Sequence, residues 1–260
     1  MEDLETLSSV TRGKKLVLFG PPGCGKGNRA RDLEELGLVH VATGIALRDK
    51  VRRDPNSDVS RRAQELMESG ELVPDDIMVP IVLEHIRRPE CQERGYVLDG
   101  FPRTKAQSEI LLSEVKLDLV FHLEVPRSFL VYGVVEGKRR ACVDCKKGYS
   151  DFDPPSVEGV CDVCGGRIVR RADDNTETIE SRLQLYDRRT SVFLPELATK
   201  VPVRKLPITV GSEEQMEKEH LKKLRGEVYW VETDDGGRAR MLNLAGMRNR
   251  LHELLAEIFE

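Results

Sequence analysis

Lys26 closes a run of glycines, and that pairing suggests phosphate chemistry. In FGPPGCGKGN, residues 19–28, Gly20, Gly25 and Lys26 hold the fixed positions among the first seven residues of G-x-x-x-x-G-K-[ST]. Small residues there let successive backbone N–H groups converge on phosphate oxygens at a helix N-terminus, and the lysine adds a point charge for the terminal phosphates. Gly27 stands at the eighth position, so the general motif is incomplete. A second chemical set is Cys142-x2-Cys145-x15-Cys161-x2-Cys164, the spacing of two knuckles closing a tetrahedral site, for which thiolates prefer zinc. The segment between the knuckles, KKGYSDFDPPSVEGV, cannot bury enough apolar surface to hold itself together. The zinc is therefore expected to be structural, with every ligand position filled. Cys24 and Cys91 have no evident partner.

The elements that must position these groups can be read from periodicity. Leu16–Phe19 is expected as a buried parallel strand leading into the glycine loop, and Arg29–Leu36 as the helix after it. Leu38–Val41 is expected as a second strand, Ser57–Ser69 and Asp75–Arg87 as helices, Tyr96–Leu98 as a third strand and Leu119–Val125 as a fourth. Asp99 ends the third strand. A carboxylate at the C-terminal end of a buried parallel strand faces the region where such sheets bind ligands, and it suits a magnesium-bound water. Glu177–Leu197 reads as one long helix. Beyond it come a polar helix at Glu213–Arg225, a strand at Val228–Glu232, a tight turn at Asp234–Gly237, a further strand at Met241–Leu244 and an amphipathic helix at Met247–Phe259. Val228–Glu232 is taken as the fifth strand of the core. Residues Met1–Gly13 lack apolar periodicity and are expected to be a flexible leader.

Composition excludes several function classes. The 260 residues carry 41 basic and 45 acidic side chains, a net charge of −4, so no overall field draws the chain to nucleic acid or an acidic membrane. The first residues lack the order of a signal peptide, and no apolar run approaches the ~20 residues of a membrane span. A cytoplasmic protein is expected, without membrane or nucleic-acid partners, and as a monomer. A reading of the four cysteines as a nucleic-acid-binding ribbon is disfavoured by the near-neutral charge and the lack of interleaved aromatics.

Several of these stretches together resemble the adenylate kinases. GPPGCGKGNRA resembles their G-x-P-G-x-G-K-G-T-Q-A loop, with Asn28 where the family has Thr. Residues 42–48, ATGIALR, resemble S-T-G-D-x-L-R, keeping Thr43 and Arg48 but not the Ser and Asp, which are Ala42 and Ile45 here. Asp99–Gln107, DGFPRTKAQ, reproduces D-G-F-P-R-T-x-x-Q, the most specific match. Around the cysteines, Arg139, Arg171 and Arg182 match the lid arginines and Asp173 and Asp174 the paired aspartates, while Lys138 replaces a Gly and Val135 replaces an arginine that stacks on the donor adenine. The resemblance covers about Leu16–Leu197.

What the resemblance implies is reversible phosphoryl transfer from MgATP to AMP, giving two ADP. Gly23, Cys24, Gly25, Lys26, Gly27, Asn28 and Arg139 would bind ATP. Thr43, Arg48, Gly100, Arg103, Gln107, Arg171 and Arg182 would bind AMP, with Thr43 and Gln107 selecting adenine. Lys26, Arg103, Arg139, Arg171 and Arg182 would surround the transferred group, because phosphoryl transfer is catalysed by position and charge. Asp99 would hold Mg2+ through water, and Cys142, Cys145, Cys161 and Cys164 would hold Zn2+. The implied fold is an α/β, P-loop NTPase-type doubly wound parallel sheet of five strands. It would have a leader at 1–13, a core at 14–42, 96–136 and 172–260, a helical acceptor region at 43–95 and a zinc-binding lid at 137–171. Asn28 and Val135 both fall on the donor side, so donor binding is expected to be weaker and less selective than usual in the family. Two other readings stay open: a weakly active or non-catalytic nucleotide sensor of the same fold, and a kinase for another nucleoside monophosphate.

Overall fold

Lys15–Phe19 (β1) is buried along nearly its whole length, which requires cover on both faces and suits a Leu-Val-Leu-Phe run in a parallel sheet. The computed structural model describes residues 2–69, 73–125, 127, 130, 134, 139–150, 154–170, 174–207, 228–232, 238–242 and 244–259. Before β1 lies a helix, Glu2–Thr11 (α1), and after it Lys26–Glu35 (α2), Val39–Ala42 (β2), Thr43–Arg53 (α3), Asp58–Ser69 (α4), Asp75–Ile86 (α5) and Pro89–Arg94 (α6). Tyr96–Asp99 (β3), Lys105–Glu114 (α7) and Leu119–Glu124 (β4) follow. Three short strands, Arg140–Cys142 (β5), Gly148–Tyr149 (β6) and Ile168–Arg170 (β7), precede Val203–Pro207 (β8), Val228–Glu232 (β9) and Arg238–Leu242 (β10). Leu244–Phe259 is the last helix.

The main sheet has the order β2-β3-β1-β4-β8. β1 and β2 each run parallel to β3, with Leu18 and Ala42 both registered on Asp99. Parallel neighbours need crossover helices, and α2 and the α3–α6 segment supply them. On this topology the glycine loop leaves the carboxyl end of β1, and Asp99 ends β3.

The chain divides into two compact units, Met1–Phe19 with Leu33–Phe121 and Leu185–Arg204, and Gly20–Asp32 with His122–Gln184 and Lys205–Glu260. In the first, Val17, Phe19, Val41, Leu98 and Val120 join Ile77, Val82, Phe193 and Leu197 in one core. Phe19 meets Phe193 edge-on at 5.5 Å, an arrangement that aromatic quadrupoles favour. In the second, β6-β5-β7 forms a small antiparallel sheet, and Cys142, Tyr149, Cys161 and Ile168 make its buried cluster.

Three expectations need correction. The fifth strand of the main sheet is β8, not Val228–Glu232, which instead pairs antiparallel with β10, Tyr229 opposite Met241. β8 is an edge strand in which, among the residues whose burial is described, Leu206 alone is fully buried, so its apolar signal is too short to stand out. The single helix expected over Glu177–Leu197 is broken into Thr176–Arg189, a 3-10 turn at Ser191–Phe193 and Leu194–Lys200, because Pro195 lacks the N–H that a continuous helix would need. The leader is not aperiodic coil: α1 buries Leu7 and Thr11 one turn apart, and the Ser8 hydroxyl donates to the Leu36 carbonyl at 2.9 Å. The expected elements at Glu213–Arg225 and Asp234–Gly237 lie outside the described residues.

Leu7 is 4% exposed, so Leu7→Ala should destabilise the protein by about 2 to 4 kcal/mol through lost burial and a residual cavity. Denaturant unfolding checks this, since a frayed leader would leave the midpoint where it is in the native chain.

Candidate active site and metal centre

The glycine loop turns back on itself because two of its residues sit where L side chains are strained. Gly23 and Gly25 have φ of +85° and +87°, and a methyl built on Gly23 would stand 2.7 Å from Val134 Cγ2. Lys26 opens α2, and its ammonium donates to the carbonyls of Gly20 and Pro21, each at 2.7 Å. These are exchangeable partners for a cation that a phosphate can draw away. The buried Cys24 thiol lies 3.5 Å from the same Nζ. Asn28 does not point its acceptor at the loop: its Oδ1 accepts from the Gly148 N–H at 3.1 Å. Arg31, one turn further along α2, donates to the Cys145 carbonyl.

Arg139 borders the same loop, its Nη1 lying 3.9 Å from where a Gly23 methyl would be. Its fork is gripped in a bidentate pair by Asp174, Nε to Oδ2 at 2.9 Å and Nη2 to Oδ1. The Asp174 carboxylate is wholly buried, so this pair compensates a charge that would otherwise be costly to bury, and it fixes the guanidinium plane. Arg170 adds a bond to the Asp174 carbonyl at 3.0 Å. Arg182 lies half-buried on the helix Thr176–Arg189.

The four cysteine sulfurs all lie within 4.8 Å of one another, Cys142 to Cys164 and Cys145 to Cys161 at 3.5 Å. A tetrahedron with Zn–S bonds of ~2.3 Å has edges of about 3.8 Å, so the set fits zinc, whereas sulfurs this far apart are not disulfide-bonded. Both knuckles are built alike. Lys146 N–H bonds the Cys142 carbonyl at 3.2 Å and Gly165 N–H the Cys161 carbonyl at 2.8 Å, with left-handed φ of 62° at Lys146 and 70° at Gly165. Burial pushes the Cys161 thiol up, but the Tyr149 hydroxyl, the N–H groups of Cys164 and Val163 and the Cys145 thiol outweigh it, and the net shift is down. Burial instead carries Cys145 upward.

The second group of predicted residues gathers in the first unit. Gly100, at φ +83°, has no side chain, and a methyl there would lie 2.8 Å from Arg103 Nη2 and 2.9 Å from Thr43 Oγ1. Only glycine lets both approach this backbone. The buried Thr43 hydroxyl donates to the Gly100 carbonyl at 3.3 Å, and Arg103 Nε to the same carbonyl at 2.7 Å. Gln107, 3% exposed, accepts from Arg103 N–H at 2.7 Å and donates to Asp75 Oδ1 at 2.6 Å, while Thr104 donates to the other Asp75 oxygen at 2.8 Å. Its amide keeps one N–H and one lone pair beyond these bonds. Thr190 holds the Arg103 carbonyl at 2.9 Å. Asp99 meets His40 Nε2 at 3.3 Å, and Arg48 is exposed on α3 with its guanidinium over Gly44.

The structure therefore brings Lys26, Gly23, Asn28 and Arg139 together with the cysteines in one unit, and Thr43, Asp99, Gly100, Arg103 and Gln107 in the other. Arg171, Asp173, Val135 and Lys138 fall outside the described residues. Sequence reasoning did not single out Asp75 or His40. The acidic first turn of α5 was visible as a helix start, but its bonds to α7 cross 29 and 32 residues and leave no local trace.

A family model described as adenylate kinase matches residues 18–200. The adenylate kinase of Carboxydothermus hydrogenoformans is 42% identical over 184 residues, covering 68% of this chain and 84% of that one. The adenylate kinase of Zymomonas mobilis subsp. mobilis is 43% identical over 188 residues, with 69% and 82% covered, and that of Methanosarcina barkeri is 37% identical over 186 residues, with 69% and 84% covered.

Asp75→Ala would strip a buried amide and a hydroxyl of their acceptor at once. The loss should be about 2 kcal/mol of stability, within the range for a buried polar group left unpaired. Urea unfolding reads it, and a change under ~0.5 kcal/mol, as for an indifferent surface site, would show that the network does not hold α5 to α7.

Proposed function

Because this chain belongs to the adenylate kinase family, we infer that it catalyses reversible transfer of the terminal phosphoryl group of MgATP to AMP, giving two ADP. The observation that carries this reading is the glycine turn itself, with Lys26 at the start of α2 and Arg139 locked in plane beside Gly23. A phosphoryl group in transfer spreads charge over its equatorial oxygens, and fixed cations stabilise that charge without reorganising. Lys26 exchanges its loop carbonyls for the donor's terminal phosphates. Arg139 keeps its plane through Asp174, and Arg171 and Arg182 complete the set of cations.

On the acceptor side, Arg103 presents its fork to the AMP phosphate with Arg48, while Thr43 and Gln107 meet the adenine. The residue range 43–95 serves as acceptor region and 137–171 as lid. Asp99 is the carboxylate that would hold a magnesium ion through water, and that ion, bound with ATP, would supply positive charge to the phosphates. Zinc on Cys142, Cys145, Cys161 and Cys164 is structural, since four thiolates leave no open position. Among the described residues no helix is long and apolar enough to cross a membrane.

A coupled assay of ADP formation from paired donors and acceptors, with zinc measured on the same sample, tests the reading; absence of ADP formation from ATP and AMP would leave only a nucleotide-binding role. In that assay Arg103→Ala should lose about 3 kcal/mol of transition-state stabilisation, roughly a hundredfold in rate. Arg103→Lys should not restore it, because an ammonium lacks the planar fork. Native-like turnover in either variant would remove Arg103 from the site.

A further inference from the structure

Two residues of α2 reach out of the phosphate loop and bind the zinc module. Asn28 Oδ1 takes the Gly148 N–H at 3.1 Å, and Arg31 donates to the carbonyl of Cys145, itself one of the four sulfur ligands. The contact does not stop at Gly148. Tyr149, the next residue of β6, donates its hydroxyl to Cys161 Sγ at 3.3 Å and accepts from the Asp162 N–H at 2.9 Å, within the buried cluster of the module. So two adjacent residues of one short strand join the phosphate loop to a zinc ligand on the far knuckle. Packing at the junction is close: a methyl on Gly148 would lie 3.2 Å from both polar atoms of the Asn28 amide.

We propose that Asn28 is a positioning residue that couples the donor loop to the zinc site through Gly148 and Tyr149, so that donor nucleotide and metal hold each other in place. This rests on the donor role of the glycine loop. The physical basis is two hydrogen bonds joined through adjacent residues of β6, Asn28 amide to Gly148 N–H and Tyr149 hydroxyl to Cys161 sulfur, with Arg31 as a second tie. An outer-shell donor to a ligating sulfur orients that ligand and retains the metal. The same chain seats the first turn of α2, whose N–H groups and Lys26 meet phosphate. Coupling of this kind is reciprocal in affinity: if zinc strengthens MgATP binding, MgATP must tighten zinc binding by the same factor, which reads as slower zinc loss where the association step is unchanged. Asn28 thus acts through the lid, and its amide need not touch the phosphates.

The experiment follows zinc release from the holoenzyme to a chromogenic chelator, alone, with saturating MgATP and with AMP, alongside equilibrium dialysis of MgATP. In the native protein MgATP should slow release about fivefold or more, the low end of measured coupling between sites, and AMP should not. Asn28→Ala should release zinc faster without nucleotide and lose the MgATP effect, whereas Asn28→Asp, which keeps the acceptor oxygen for Gly148, should release zinc at the native rate without nucleotide. Gly148→Ala, which crowds the same junction from the other side, should resemble Asn28→Ala, and it serves should the latter fold poorly. Tyr149→Phe should speed release by roughly 10-fold or more, as for a lost outer-shell partner. If MgATP binds but leaves native zinc release unchanged, or if Asn28→Ala weakens MgATP binding with native zinc kinetics, Asn28 serves phosphate alone and the coupling is overturned. No MgATP binding in dialysis would overturn both the coupling and the donor role of the loop.

Discussion

A strand buried on both faces must deliver its chain to a helix without a side chain in the way, and the rest of this molecule is arranged around that constraint. β1 ends at Phe19, and α2 begins at Lys26. Between them the backbone passes through positive φ at Gly20, Gly23 and Gly25, conformations a Cβ would oppose. What results is a tight turn that leads directly into the N-terminus of a helix, the positive end of its dipole. Such a turn presents backbone rather than side chains to its surroundings, and the neighbouring Lys26 and Arg139 add charge.

Both units treat their arginines in the same physical way. A guanidinium free to rotate loses entropy when it meets a ligand, so its usefulness depends on being oriented beforehand. Arg139 is oriented by a fully buried carboxylate, and Arg103 by the Gly100 carbonyl, with its own backbone held by Gln107 and Thr190. The buried Asp174 is affordable because it is satisfied on both oxygens. Asp75 plays the corresponding part for Gln107 and Thr104.

The four-cysteine module shows how a segment with little apolar core can still be ordered. Two knuckles of matching turn geometry bring four sulfurs to one point, an arrangement that fits a zinc ion, whose binding would add folding free energy. Tyr149 and Ile168 supply the little apolar burial it has. Because Asn28 and Arg31 tie this module to the first turns of α2, a difference from the family pattern at residue 28 becomes an element of the module's attachment.

Motifs whose meaning is local were legible from the chain alone. The glycine loop, the paired C-x2-C knuckles and DGFPRTKAQ each state their chemistry in adjacent residues, since φ, ligand spacing and turn geometry are short-range properties. Strands buried on both faces were equally plain, because uninterrupted apolar runs mark them. What the tertiary structure decided depends on partners distant in sequence. Val203–Pro207 is a sheet edge because β4 lies beside it, and Val228–Glu232 is outside the main sheet with its backbone bonds made to Arg238–Leu242. α1 is ordered by Leu36, 28 residues away from Ser8. Likewise the partner of Asn28 is a backbone N–H 120 residues away. An amide can serve a phosphate, a metal or a backbone equally well, and residue type could not choose among them; packing of the zinc module against α2 did.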